Sequence, residues 1–176
     1  MRTLLRTCVL MLLALNFGWA QRPIVEARAL VATDGAHANS TVKLAVLAQV
    51  AAGYHINDHK PTLDYLIPTE LKVEPSQQFT VQSVVYPKGT LEKFPFSDVR
   101  LSVYENSLAV GAVLATAKTV TPGEYTLKAK FAYQACNDHA CLAPASVPLT
   151  VTVKIVPRNV PLKSVEPDVF QRINFE

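Results

Sequence analysis

Two cysteines, Cys136 and Cys141, stand with four residues between them in the segment YQACNDHACLAP (Tyr133 to Pro144), His139 among the four. A hairpin connection of that length can bring two α-carbons into the roughly 4.4–6.8 Å window that a disulfide demands. Such a bond is either a structural staple or an exchange centre. Closing a loop of about six residues removes denatured-state entropy worth only about 2 kcal/mol, against nearly 5 kcal/mol for about 100 residues, so a staple gains little here. A bond in a small exposed loop is also open to another thiolate, and such bonds are the labile, catalytic ones. A third chemistry is metal binding, with His55 and His59 adding ligands that copper or zinc would accept. The cysteine spacing is not that of a zinc knuckle or finger, and both methionines, Met1 and Met11, lie in the first twenty residues. Gly53 and Pro61 flank His55 and His59 too closely for a helix to present both, and the two read as polar loop residues. No metal site and no cofactor is expected.

The amino end, MRTLLRTCVLMLLALNFGWA, has Arg2 and Arg6, an apolar run from Cys8 to Leu15, then Gly18 and Ala20 at the positions of a small-residue cleavage site. It reads as a secretory signal peptide over residues 1–20. The apolar run is about half of the ~20 residues needed to cross a bilayer, and no later stretch is long enough to try, so no membrane insertion is expected. Cleavage changes the arithmetic. Without Arg2 and Arg6 the net charge of +3 falls to +1, and without Cys8 the odd cysteine count becomes one pair, Cys136 and Cys141. Export places that pair where disulfides persist. The near-neutral charge and the absence of a basic stripe interleaved with aromatics argue against a nucleic-acid partner. There is no GxSxG, HExxH, P-loop or dinucleotide fingerprint.

The elements that must position the cysteines are strands. Val42, Leu44, Val46, Ala48 and Val50 share one face of a run, and Tyr125, Leu127, Ala129, Phe131 and Tyr133 share another, opposite Thr126, Lys128, Lys130 and Gln134. This period of two marks strands half buried against a core. Further strands are expected over residues 24–32, 79–86, 99–105, 108–117 and 147–156, with breaks at Thr33-Asp34-Gly35, Ala52-Gly53, Pro75-Ser76, Pro87-Lys88-Gly89, Asn106-Ser107 and Thr121-Pro122-Gly123. Seven or more short strands without sustained helical periodicity predict an all-β fold, an immunoglobulin-like β-sandwich, over residues 21–157. Residues 158–176 read as an extended carboxy-terminal tail.

Two segments depart from generic sandwich sequence: GYHINDHKPTLDYLIPTEL (Gly53 to Leu71) and YQACNDHACLAP. Together, with Val-Pro-Leu-Thr-Val beyond, they resemble the amino-terminal periplasmic domain of the DsbD thiol:disulfide interchange protein family, over roughly Ile24 to Pro157. The resemblance implies a periplasmic domain whose Cys136 and Cys141 alternate between dithiol and disulfide. It implies a membrane-embedded thiol reductase as electron donor and, as acceptor, a periplasmic disulfide isomerase or a thioredoxin-like protein such as those of cytochrome c maturation. Cys141 would attack the acceptor's disulfide and Cys136 would resolve the mixed disulfide. It also implies an aromatic cap over the cysteines, for which Glu92-Lys93-Phe94-Pro95-Phe96 offers Phe94 or Phe96, and it places Tyr54 and His55 near the pair.

The chain departs from the family in an inter-cysteine loop one residue shorter than in its best-known members, and in carrying neither a transmembrane nor a thioredoxin-like domain. Donor and acceptor are then expected to be separate proteins. No Lys or Arg lies inside the loop to favour a thiolate, Asp138 would oppose one if it pointed inward, and His139 is the nearest cation or proton acceptor in sequence. Partner docking and cap opening, rather than a strongly depressed thiol pKa, are therefore expected to govern reactivity. The competing reading is an exported binding or scaffold module in which Cys136–Cys141 is a staple.

Overall fold

The alternating segments form the long strands, and the positions marked as inward are the buried ones. A computed structural model describes residues 23–175; the leader expected over residues 1–20, with Cys8, lies outside them. In chain order the strands are β1 (Val25–Val31), β2 (Thr41–Val50), β3 (His55–Asn57), β4 (Glu70–Val73), β5 (Phe79–Val85), β6 (Thr90–Glu92), β7 (Leu101–Tyr104), β8 (Ser107–Thr116), β9 (Gly123–Tyr133), β10 (Ala135–Cys136) and β11 (Ala145–Ile155), followed by a one-turn helix, α1 (Pro167–Gln171).

Every pairing between these strands is antiparallel, in three sheets ordered β1-β2-β8-β5, β11-β9-β4 and β10-β3-β7-β6. The first two enclose one core. Val42, Leu44, Val46 and Val50 of β2 and Val110, Ala112 and Leu114 of β8 join Leu127 and Phe131 of β9 and Leu149 and Val153 of β11 in a single buried cluster. Fully burying such side chains stabilises the fold by about 1.5–3 kcal/mol each. This is the immunoglobulin-like β-sandwich that the strand pattern implies.

The third sheet stands at one end of the sandwich and is built from continuations of the other two. β3 follows β2 after a turn through Gly53, whose φ of 80° suits a residue without a β-carbon. β7 runs into β8 through Asn106, also left-handed at φ 57°. β10 follows β9 after the single residue Gln134. Strands from both layers thus meet where β10 pairs with β3, Ala135 opposite Ile56 and Cys136 opposite His55. A second, smaller apolar cluster of Leu66, Phe94, Leu101 and Val103 lies under the loops of this end.

The chain beyond Pro157 runs back along the first sheet. Val165 N–H donates to Ala32 O at 2.8 Å, Lys163 N–H to Asp34 Oδ1 at 2.9 Å, and the Arg28 guanidinium donates to both carboxylate oxygens of Glu166 at 3.3 Å. Gly111 lets the tail settle on β8: a β-carbon there would lie 2.6 Å from Ile173 Cγ2 and 2.7 Å from Phe175 Cε1. Lys43 Nζ sits 4.7 Å from the centre of the Phe175 ring. Gly111→Val is expected to lift residues 165–175 from the sheet and lower stability by about 1–3 kcal/mol. Limited proteolysis at Arg172 and urea unfolding check this, and an equally protected tail would contradict it.

Candidate redox site

Cys136 and Cys141 face each other across an antiparallel bridge and are joined by a disulfide, with α-carbons 3.9 Å apart. That is closer than the common range of roughly 4.4–6.8 Å. Asn137 folds the intervening loop. Its Oδ1 accepts from the backbone N–H groups of His139 and Ala140 at 2.9 Å each, and its own N–H donates to Ala140 O at 3.0 Å. Beyond the loop, Leu142 N–H donates to Ala135 O at 2.8 Å and Gln134 Nε2 to Leu142 O at 3.1 Å. None of these bonds involves sulfur. The loop is closed by its own hydrogen bonds as well as by the disulfide.

The two sulfurs meet different surroundings. Cys136 is 1% exposed, whereas Cys141 lies in the exposed part of the hairpin. Opposite Cys136 on β3 is His55, 2% exposed, and directly opposed residues of antiparallel strands project from the same face. The His55 ring stacks on Phe94 with centroids 4.0 Å apart, and Phe96 stacks beyond at 5.4 Å from Phe94. Phe94 is rooted in the apolar cluster with Leu66, Leu101 and Val103 and is buried; Phe96 is 41% exposed. Both aromatics offered by the sequence stack over the histidine beside Cys136, Phe94 directly and Phe96 farther out, its centroid 6.4 Å from the His55 ring. A small cleft of about 120 Å³ opens here, lined by Gly53, Tyr54, His55, Phe94, Glu105 and Asp138. His139 is exposed in the loop, its backbone N–H taken up by Asn137.

Burial holds the His55 pKa below the ordinary histidine value, with the Asp138 carboxylate opposing part of that shift. Its Nε2 is buried and has no hydrogen-bond partner. The expectation that His55 is a polar loop residue is overturned, since it is buried and belongs to β3. His59 is a loop residue as expected, half-buried, stacked on Tyr86 at 3.7 Å and bonded through Nδ1 to Thr69 O at 3.1 Å. Among the described residues no group of three or more His, Cys, Asp or Glu is arranged to hold a metal ion.

Sequence reasoning missed Asp58. It accepts from Ser102 Oγ at 2.6 Å, from the Tyr104 hydroxyl and from Lys60 N–H at 3.3 Å. Burial raises the Asp58 pKa, but the bonds from Ser102, Tyr104, Lys60 and His59 outweigh it and hold the carboxyl below its usual range. The same burial and the bond to Asp58 push the Tyr104 hydroxyl up. A β-carbon on Gly89 would lie 2.6 Å from Asp58 Oδ2, so the loop before β6 also closes on this carboxylate. The bonds tie the end of β3 to β7 and hence to the sheet that carries His55. Ser102 and Tyr104 lie more than forty residues along the chain from Asp58, and no local pattern announces the pairing.

A histidine whose folded pKa is lowered stays neutral while its unfolded counterpart takes up a proton. Stability is therefore full above the unfolded value of 6.5 and is lost as pH falls from there through the lowered folded pKa. Urea midpoints measured on either side of that window are expected to fall with pH, and His55→Asn is expected to remove the fall.

The sequence profile described as thiol:disulfide interchange protein DsbD, N-terminal, matches residues 21–152. No curated protein sequence matches the chain. Among solved structures, the N-terminal periplasmic domain of ScsB from Proteus mirabilis is similar at TM-score 0.52 and 14% identity, over 84% of this chain and 51% of that one, so this chain spans about half its length. The reduced DsbD N-terminal domain of Neisseria meningitidis aligns at TM-score 0.42 and 19% identity, over 76% of this chain and 89% of that one. The Neisseria meningitidis complex of the DsbD and PilB N-terminal domains aligns at TM-score 0.41 and 21% identity, over 69% and 80%.

Proposed function

Because this chain belongs to the family of DsbD N-terminal thiol:disulfide interchange domains, we propose that it carries reducing equivalents in the periplasm through the Cys136/Cys141 pair. The observation that carries the reading is the asymmetry of that pair: one exposed sulfur and one buried sulfur in a loop that its own hydrogen bonds close. A staple of this span adds only about 2 kcal/mol to a hairpin already fastened. An exchange centre needs what the hairpin offers, one sulfur that a partner can reach and a second held beside it.

In the forward direction Cys141 loses its proton to solvent and attacks the acceptor's disulfide. A mixed disulfide forms and one acceptor thiolate leaves. Cys136 then attacks Cys141 Sγ, restoring the bond between them and releasing the second acceptor thiolate. Two electrons pass to the acceptor, and a membrane-embedded thiol reductase returns them. The acceptor is a disulfide isomerase or a thioredoxin-like protein, including those that serve cytochrome c maturation. Phe94, packed on His55 and anchored in its own apolar cluster, is the cap, and docking displaces the loop that bears it. Tyr54 and Asp138 line the cleft the partner approaches. No helix among the described residues is long and apolar enough to cross a membrane.

Cys136→Ala leaves the attacking thiol without its resolving partner and is expected to accumulate reductant-sensitive mixed disulfides with periplasmic proteins, which mass spectrometry identifies. Cys141→Ala is expected to trap far less. The reduction potential of the pair should lie in the working range of exchange proteins; a value well below about −300 mV, where structural bonds lie, would return the bond to a staple. With no cation in the loop, Cys141 in the free, reduced protein is expected to titrate near the ordinary value of about 8.5. A thiol pKa depressed to about 5 would show activation by the fold itself instead of by docking.

A further inference from the structure

His55 Nε2 is buried without a partner, and leaving a buried polar atom unpaired costs about 1–3 kcal/mol. The imidazole lies opposite Cys136, the sulfur that is 1% exposed. In the disulfide that sulfur has no proton to give. In the dithiol it has one, and the proton must leave before Cys136 can attack, because the thiolate is the nucleophile. Cys141, at the surface, has water for this purpose. Cys136 does not.

We propose that His55 is the proton acceptor for Cys136 in the resolving step, and its donor in the reverse direction. The inference rests on the exchange function above and assigns the residue that moves its second proton. The neutral imidazole takes the proton from Cys136 S–H. The Cys136 thiolate attacks Cys141 Sγ, the Cys136–Cys141 bond forms, and the bond from Cys141 to the acceptor breaks. The acceptor sulfur leaves with the electron pair and is protonated by the imidazolium or by water. The dithiol is oxidised and the acceptor disulfide is reduced, with no further reactant.

The surroundings suit both states of the ring. Burial keeps the free imidazole neutral and ready to accept. Once protonated, it lies against the face of Phe94 at 4.0 Å, where an aromatic quadrupole attracts a cation. It also shares its cleft with the carboxylates of Asp138, from the cysteine loop, and Glu105, from the β7–β8 turn, and with Tyr54 on the approach to its own strand.

Ellman's reagent tests this without a protein partner. The reduced protein forms a mixed disulfide at the exposed Cys141, releasing one thionitrobenzoate, and attack by Cys136 releases the second. The rate of that second release is followed from about pH 5 to 9, the range that separates a histidine base from thiol ionisation. The wild type is expected to lose rate at low pH as His55 becomes protonated. His55→Asn should abolish that limb and slow release near neutrality on the order of 100-fold. Asp138→Asn removes a charge from the exposed cysteine loop and leaves the buried ring in place. By removing the charge that favours the imidazolium, it should move the limb to lower pH; the same change favours a thiolate, so the position of the wild-type limb, below 6.5 for the buried histidine and near about 8.5 for a thiol, decides the matter even if His55→Asn does not fold. A profile set by thiol ionisation alone, with a midpoint near about 8.5, would overturn the proton-acceptor role while leaving exchange intact. Addition of one thionitrobenzoate with no second release at any pH would overturn exchange itself, and this role with it.

Discussion

The pairing of β10 with β3, two residues against two, is the contact on which the site depends. It sets Cys136 opposite His55 and joins a strand that continues one layer of the sandwich to a strand that continues the other. A sandwich core holds its layers apart by about 10 Å, so residues on opposite layers do not share a ladder there. They do so only past the end of the core, where Gln134 and the Gly53 turn let the chains converge. The redox pair stands at that convergence.

Two separate apolar clusters follow from this placement. The main core holds the layers together and does not include Phe94. The smaller cluster, in which Leu66, Leu101 and Val103 pack with Phe94, fastens the loop of residues 93–97 at the end of the sandwich. Hydrogen bonds from Ser102 and Tyr104 to Asp58 bind the end of β3 to β7. The carboxy-terminal strap lies on the outer face of the first sheet, over Gly111.

Differential solvation distinguishes two chemically identical groups. The exposed sulfur is open to water and to other molecules. The buried sulfur is kept from water and from stray thiols, and a neutral histidine lies beside it. Asn137 and the Ala135–Leu142 hydrogen bond fasten the short loop in addition to the disulfide.

The long strands and their inward faces were written in the sequence, because a period of two is a local property and Val42 to Val50 or Leu127 to Tyr133 display it over a full strand. The cysteine pair was also legible, as residue types at short spacing and in motifs that resemble a family. The strands β3, β4, β6 and β10 were not, since two to four residues are too few for a period to emerge, and β3 was read as loop. That loss hid the burial of His55, the network around Asp58 and the stacking of Phe94 on His55, all of which arise from residues tens of positions apart. Sequence by itself determined which two cysteines stand close enough to pair. Only tertiary structure decided which sulfur faces water and which faces histidine, because solvent exposure depends on how the two layers converge and not on the order of residues in the loop.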